Sequence, residues 1–213
     1  MLPSSAFLAS ILAFSSPAYS VPTSLDSSAK TPGIEGYTTV PIFWDLPIKA
    51  DDPNGPTATV NGTIQAAIAK MEADYHGWNA TFQAQLRRRP PPPHASSISA
   101  DQYPEFTDCD IDYDKAIGFA IVWGIEYLRG VPGTAKNGPG PGNCGRVSCS
   151  WKSAIWWCNE DNNEKELQWG QIADGAYYVF NKCETDTGYV KGKGYFVKDK
   201  FNVFVVYDQS DHC

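Results

Sequence analysis

All six cysteines of this 213-residue chain, Cys109, Cys144, Cys149, Cys158, Cys183 and Cys213, lie in its second half. An even set of this size constrains folding more than any other feature, because each bridge restricts the unfolded chain and contributes about 2–4 kcal/mol. The successive spacings of 35, 5, 9, 25 and 30 residues contain no C-x-x-C pair and no neighbouring histidine. A metal site is therefore not expected, and no cofactor is. Six cysteines admit fifteen pairings, and spacing alone does not choose among them. Cys183 falls on the apolar face of a predicted helix, which suggests a bridge to the strand carrying Cys158.

Such a framework needs an oxidising compartment, and the N-terminus agrees. Residues 1–20, MLPSSAFLASILAFSSPAYS, read as a signal peptide, with small residues Ala18 and Ser20 before a cut at Val21. The sequons at Asn61 and Asn79 suit glycosylation on the way out of the cell. No apolar run reaches the roughly 18 residues of a membrane span, and no apolar C-terminal tail suggests an anchor. The expected product is secreted and extracellular, with no integral membrane association. With 17 basic and 24 acidic residues, the net charge of −7 offers no phosphate-neutralising face. Nucleic acid is not an expected partner.

The remainder divides by its grammar. Residues 21–56, rich in Ser, Thr, Pro, Gly and Asp, read as a disordered leader with one short extended piece at 40–44. Residues 57–89 carry an amphipathic helix: Ile64, Ile68, Met71, Tyr75, Trp78, Phe82 and Leu86 form one apolar stripe that weakens at Gly77. Its stripe suits docking on the C-terminal core better than lying on a membrane. A Pro-rich linker at 90–104 follows three arginines. Arg88 and Arg89 flank the better candidate bond for secretory-pathway cleavage, which leaves 57–89 open as a pro-segment or an uncut part of the protein.

Residues 105–213 form the expected cysteine-rich domain. Asp114 is a plausible N-cap for a helix with Ile117, Ala120, Ile121, Gly124 and Leu128 on one face and its end at Gly130. Strands are expected at 146–150 and 153–159, around a turn at Trp151 and Lys152. A second helix carries Trp169, Ile172, Ala173, Ala176, Phe180 and Cys183 on one face, and a hairpin at 189–197 and 201–207 closes the chain. The fold class is α+β: a small disulfide-stabilised domain, antiparallel sheet with two helices, preceded by the amphipathic helix and the leader.

The chemistry-bearing residues are few. The three histidines, His76, His94 and His212, all lie outside the cysteine-bearing core, and no G-x-S-x-G occurs, so a catalytic triad is disfavoured. Asp108, Asp110, Asp112 and Asp114 alternate and suit either calcium or a helix N-terminus. The EF-hand pattern fails, because Tyr113 and Phe119 stand where its Gly and Glu belong. Lys191, Lys193, Lys198 and Lys200 suit either a basic binding patch or protection of a sheet edge. Trp151 is the best exposed candidate for stacking on a sugar, and Trp156 and Trp157 point to opposite faces of one strand.

The stretch CGRVSCSWKSAIWWCNEDN, with IADGAYYVFNKC and the closing V-x-G-x-x-F hairpin, resembles small cysteine-rich secreted proteins of filamentous fungi. The resemblance includes the necrosis-inducing effector-like and killer-toxin-like groups. The resemblance covers about residues 105–213, and Cys149, Cys158 and Cys183 match best. It implies a secreted α+β disulfide domain and carries over no catalytic residue. The expectation is a non-catalytic, effector-like or toxin-like protein that binds a host protein or competitor component outside the cell. The alternative is a cell-wall polysaccharide-binding module.

Overall fold

A computed structural model describes residues 33–89, 104–210 and 213. The expected signal peptide, residues 21–32 and nearly all of the Pro-rich linker lie outside them. The described chain runs β1 (Thr38–Thr39), β2 (Phe43–Pro47), β3 (Thr57–Asn61), α1 (Ile64–Asp74), α2 (Trp78–Arg88), β4 (Phe106–Asp108) and β5 (Ala116–Ile117). It continues with α3 (Gly118–Gly130), β6 (Thr134–Asn137), β7 (Asn143–Ser150), β8 (Ser153–Asn159), β9 (Lys165–Gln168) and α4 (Trp169–Cys183). It ends with β10 (Tyr189–Val190), β11 (Gly192–Phe196) and β12 (Phe201–Tyr207).

The fold is α+β, with largely antiparallel sheets and three disulfides. The main sheet has the order β1-β7-β8-β12-β11-β4, and only the β1–β7 pair is parallel. The sequences of β8, SAIWWCN, and β12, FNVFVVY, lack apolar–polar alternation because both faces of this sheet are covered. On the inner face Ile155, Trp157, Val203 and Val205 join α3 and α4 in the main core. On the outer face Ala154, Trp156, Cys158, Phe204 and Val206 form a second cluster under Ile34, Tyr37 and Tyr113. Gly124 allows α3 to approach the sheet closely, since a Cβ there would collide with Ser148 Oγ.

The first half belongs to the folded unit. Residues 33–56, expected as leader, carry β1 and β2, and β2 is an inner strand of a second sheet ordered β3-β2-β6-β9. The short extended piece expected at 40–44 overlaps it, but the polar composition around these five residues, FWDLP, hid that the strand belongs to the core. Trp44 and Leu46 point inward and are fully buried, while Phe43 is 45% exposed. The expected single helix is two. Gly77, at φ 86°, breaks it, and the Glu72 carboxylate accepts from the backbone N–H of Gly77 at 3.0 Å and of Asn79 at 2.7 Å. The apolar stripe does dock: Ile64, Met71, Trp78 and Phe82 are buried in the main core. The domain is thus larger than residues 105–213.

Two further expectations are corrected. Asp114 does not cap α3, whose N-cap is Ile117 without a side-chain bond. Residues 116–117 are instead taken into a strand pair with β10, and the Asp114 carbonyl accepts from Tyr207 N–H at 3.0 Å. Cys183 pairs with Cys109, not Cys158. Cys158 faces outward and bridges Cys144 directly across the β7–β8 ladder, with Cα atoms 4.0 Å apart. Cys149 bonds Cys213 and holds the C-terminus on the outer face. Cys144 and Cys149 are five apart and would face opposite ways on a regular strand. A β-bulge between Arg146 and Ser148 brings both to the outer face.

Candidate functional site

The four lysines do not form one patch. Lys193 is buried on the outer face of the sheet among the rings of Tyr37, Tyr195 and Phe204, 5.3, 4.1 and 4.8 Å from its ammonium. It donates to Tyr37 Oη at 2.9 Å, and Tyr37 donates to Glu160 Oε1 at 2.8 Å. Burial pushes the Lys193 ammonium below its ordinary range, with Glu160 and Asp108 opposing that shift. Burial and the Glu160 bond hold the Tyr37 phenol well above its own. This network clamps residues 33–39 onto the sheet. Lys191 donates to the Ile111 carbonyl at 2.7 Å, Lys200 pairs with Asp161 at 3.3 Å, and Lys198 is exposed. Edge protection is not their role either, because β4 pairs with β11 and is itself the edge.

Trp151 stands where the sequence places it, at the tip of the β7–β8 hairpin and 63% exposed. Trp151 and Lys152 both adopt positive φ, 52° and 53°. Two-residue turns of this kind favour Asn-Gly, and a bulky residue held there costs about 1–3 kcal/mol. Phe119 and Trp123, each 49% exposed, join Trp151. Ring centroids are 5.2 Å apart for Phe119–Trp123 and 6.2 Å for Phe119–Trp151, both edge-on. Sequence reasoning missed Phe119 and Trp123. The available signal was two large aromatics at i and i+4 on α3, off its buried stripe.

Two grooves flank Trp123. One, of about 490 Å³, runs between Phe119 and Trp123 and the loop bearing Glu184, Thr187 and Tyr189. That loop is braced: Thr185 N–H donates to the Tyr189 carbonyl at 2.8 Å, and Gly118 N–H to the Gly188 carbonyl at 2.8 Å. The other, of about 340 Å³, runs on the far side of Trp123 beside Gln83, Arg87, Glu126 and Tyr127. Both are open and lined by aromatic and charged side chains together. Trp123 is their shared wall.

Trp156 and Trp157 do point to opposite faces, but both are buried, so neither offers a stacking surface. Asn61 is exposed at the end of β3, and Asn79 is half-buried in the first turn of α2. Arg87 and Arg88 end α2. The Arg89 guanidinium donates to the carbonyls of Arg129 and of Gly130 (2.9 Å for the latter), satisfying the C-terminus of α3. The Arg88–Arg89 bond therefore sits at a helix end with one side chain engaged. Among the described residues, no group of three or more His, Cys, Asp or Glu converges as a metal site, the acids from Asp108 to Asp114 included. His76 is exposed between the two N-terminal helices, and His94 and His212 lie outside the described residues. No helix among the described residues is long and apolar enough to cross a membrane. No family model, curated protein or solved structure matches the chain.

Proposed function

We propose that this chain is a secreted, non-catalytic protein, effector-like or toxin-like, that acts by binding a component of a host or competitor cell. The contact surface is the ridge of Phe119, Trp123 and Trp151. One observation carries this reading: an exposed tryptophan is held at a hairpin tip in a conformation its side chain disfavours, beside the exposed ring of Phe119, which in turn meets that of Trp123. Backbone strain of this kind persists where the surrounding structure over-determines it, and it concentrates at functional sites. Large rigid aromatics are the side chains that most often anchor binding surfaces. The three disulfides and the predicted signal peptide support an extracellular setting.

The test is binding of the fluorescently labelled protein to intact plant and fungal cells, scored by flow cytometry. The triple variant Phe119→Ser, Trp123→Ser, Trp151→Ser should lose binding while retaining its circular dichroism. Lys198→Glu, on an exposed lysine away from the ridge, should bind as the parent does. Equal binding by the triple variant, or no binding of the parent to any cell, refutes the proposal.

A further inference from the structure

We propose that Asn61 carries an N-linked glycan whose first sugar folds back onto the exposed ring of Phe43, an inference that rests on the extracellular setting but not on the ridge. Asn61 opens the sequon Asn61-Gly62-Thr63 and closes the edge strand β3. It is paired directly with Phe43 on β2, and residues paired in this way have Cβ atoms about 4.5–5.5 Å apart on one face of the sheet. The neighbouring pair of Trp44 and Val60 points into the core, so Phe43 and Asn61 both point outward. Phe43 is left 45% exposed there, a large apolar ring beside polar neighbours. Among these the Asp45 carboxylate is already engaged, by the Thr59 hydroxyl at 2.6 Å and the Lys136 ammonium at 3.4 Å.

The chain supplies its own cover for this ring. In the secretory pathway the Asn61 side-chain amide nitrogen, losing a proton, bonds to C1 of the N-acetylglucosamine of a lipid-linked donor, and the lipid pyrophosphate departs as leaving group. A pyranose one bond beyond that amide is within reach of the ring opposite, and its apolar C–H face suits the electron-rich face of a phenyl group. The contact removes exposed apolar surface from water, and the bulk of the glycan blocks pairing along the β3 edge. The second sequon differs. Asn79 is half-buried in the first turn of α2, and its Oδ1 accepts from Gln83 Nε2 at 3.4 Å. The rings nearby in sequence, Trp78 and Phe82, are turned into the core.

Secretion of the full chain from yeast under its own residues 1–20 tests the inference, with peptide mass mapping to read the occupancy of Asn61. An endoglycosidase that leaves one N-acetylglucosamine on each modified asparagine isolates the first sugar. That form should melt about 2–4 °C above Asn61→Gln, the shift expected when one aromatic contact is gained in a chain of this length. Asn61 is the position to change because Thr63 caps α1, accepting from Ala66 N–H at 3.3 Å, and its loss would act on the helix as well. In Phe43→Ala the gain should vanish, and in Phe43→Trp and Asn79→Gln it should persist. On the sugar-free chain Phe43→Ala is a neutral change, since the ring there has no sugar to lose. A gain that survives Phe43→Ala, or that disappears with Asn79→Gln, overturns the inference. A secreted chain with Asn61 bare overturns it and leaves the extracellular setting standing. A chain retained in the cell overturns both.

Discussion

Truncation of Trp44 to alanine tests whether the N-terminal half is part of the folded protein. Trp44 is fully buried on β2, its ring stacked on that of Trp169 with centroids 3.4 Å apart, and its Nε1–H donates to the Gly62 carbonyl at 2.8 Å. Removing a buried indole of this kind costs about 3–5 kcal/mol, combining lost transfer energy with the cavity left behind. Against a total stability of roughly 5–15 kcal/mol, that is a large share. At about 2–4 °C per kcal/mol for a chain of this size, Tm should fall by about 6–20 °C. Trp44→Phe keeps most of the buried area but leaves the Gly62 carbonyl without its donor, at about 1–3 kcal/mol. Phe43→Ala is the internal control. Its side chain points the other way from the same strand, and the cost should stay near 0.5 kcal/mol. Urea unfolding followed by circular dichroism, with the disulfides intact, measures all three. A cost below about 1 kcal/mol for Trp44→Ala refutes the placement of β2 in the core.

Two further outcomes follow from the same architecture. None of the three bridges crosses from the first half to the second, yet β2 pairs with β6, and α1 and α2 lie in the shared core. A chain cut at a site-specific protease sequence inserted between Arg89 and Pro104 should elute from size exclusion as one species. It should separate into two on a non-reducing denaturing gel, and separation already in native buffer refutes this. The second outcome concerns acid. Burial opposes ionisation of Asp208, but hydrogen bonds from Ser210 and the Arg146 guanidinium, 2.9 Å away, outweigh it and hold the carboxyl below the ordinary range. The unfolded chain therefore takes the proton first. The stabilisation is present above the ordinary aspartate value of about 3.9 and is lost as pH falls through it towards the folded value. Asp208→Asn should flatten the fall in urea midpoint between about pH 5 and pH 2, and an unchanged slope counts against the pairing.

Local periodicity made much of the second half legible. The strands β7, β8 and β12 and the helix α4 lie close to their expected bounds, because apolar spacing and turn residues act over a few neighbours. Cysteine pairing was not legible, since one bulge in β7 decides which way Cys149 points. The lysine-rich hairpin misled for a similar reason. Lys193 alternates with glycines in GKGYF and reads as solvent-facing, while its partner Tyr37 lies 156 residues away in sequence. Trp156 is covered rather than offered, because residues 33–37 return over the outer face.

Residue pattern alone was enough to identify a disulfide-stabilised α+β chain with helices against one face of an antiparallel sheet. It also placed an exposed tryptophan at one hairpin tip. Those properties follow from short-range pattern and from the even cysteine count. Long-range packing is what makes the first half complete the core, disperses the lysines, and brings Phe119 and Trp123 beside Trp151. Each of these depends on contacts between residues distant in the chain, where no local preference operates and burial of shared apolar surface sets the outcome.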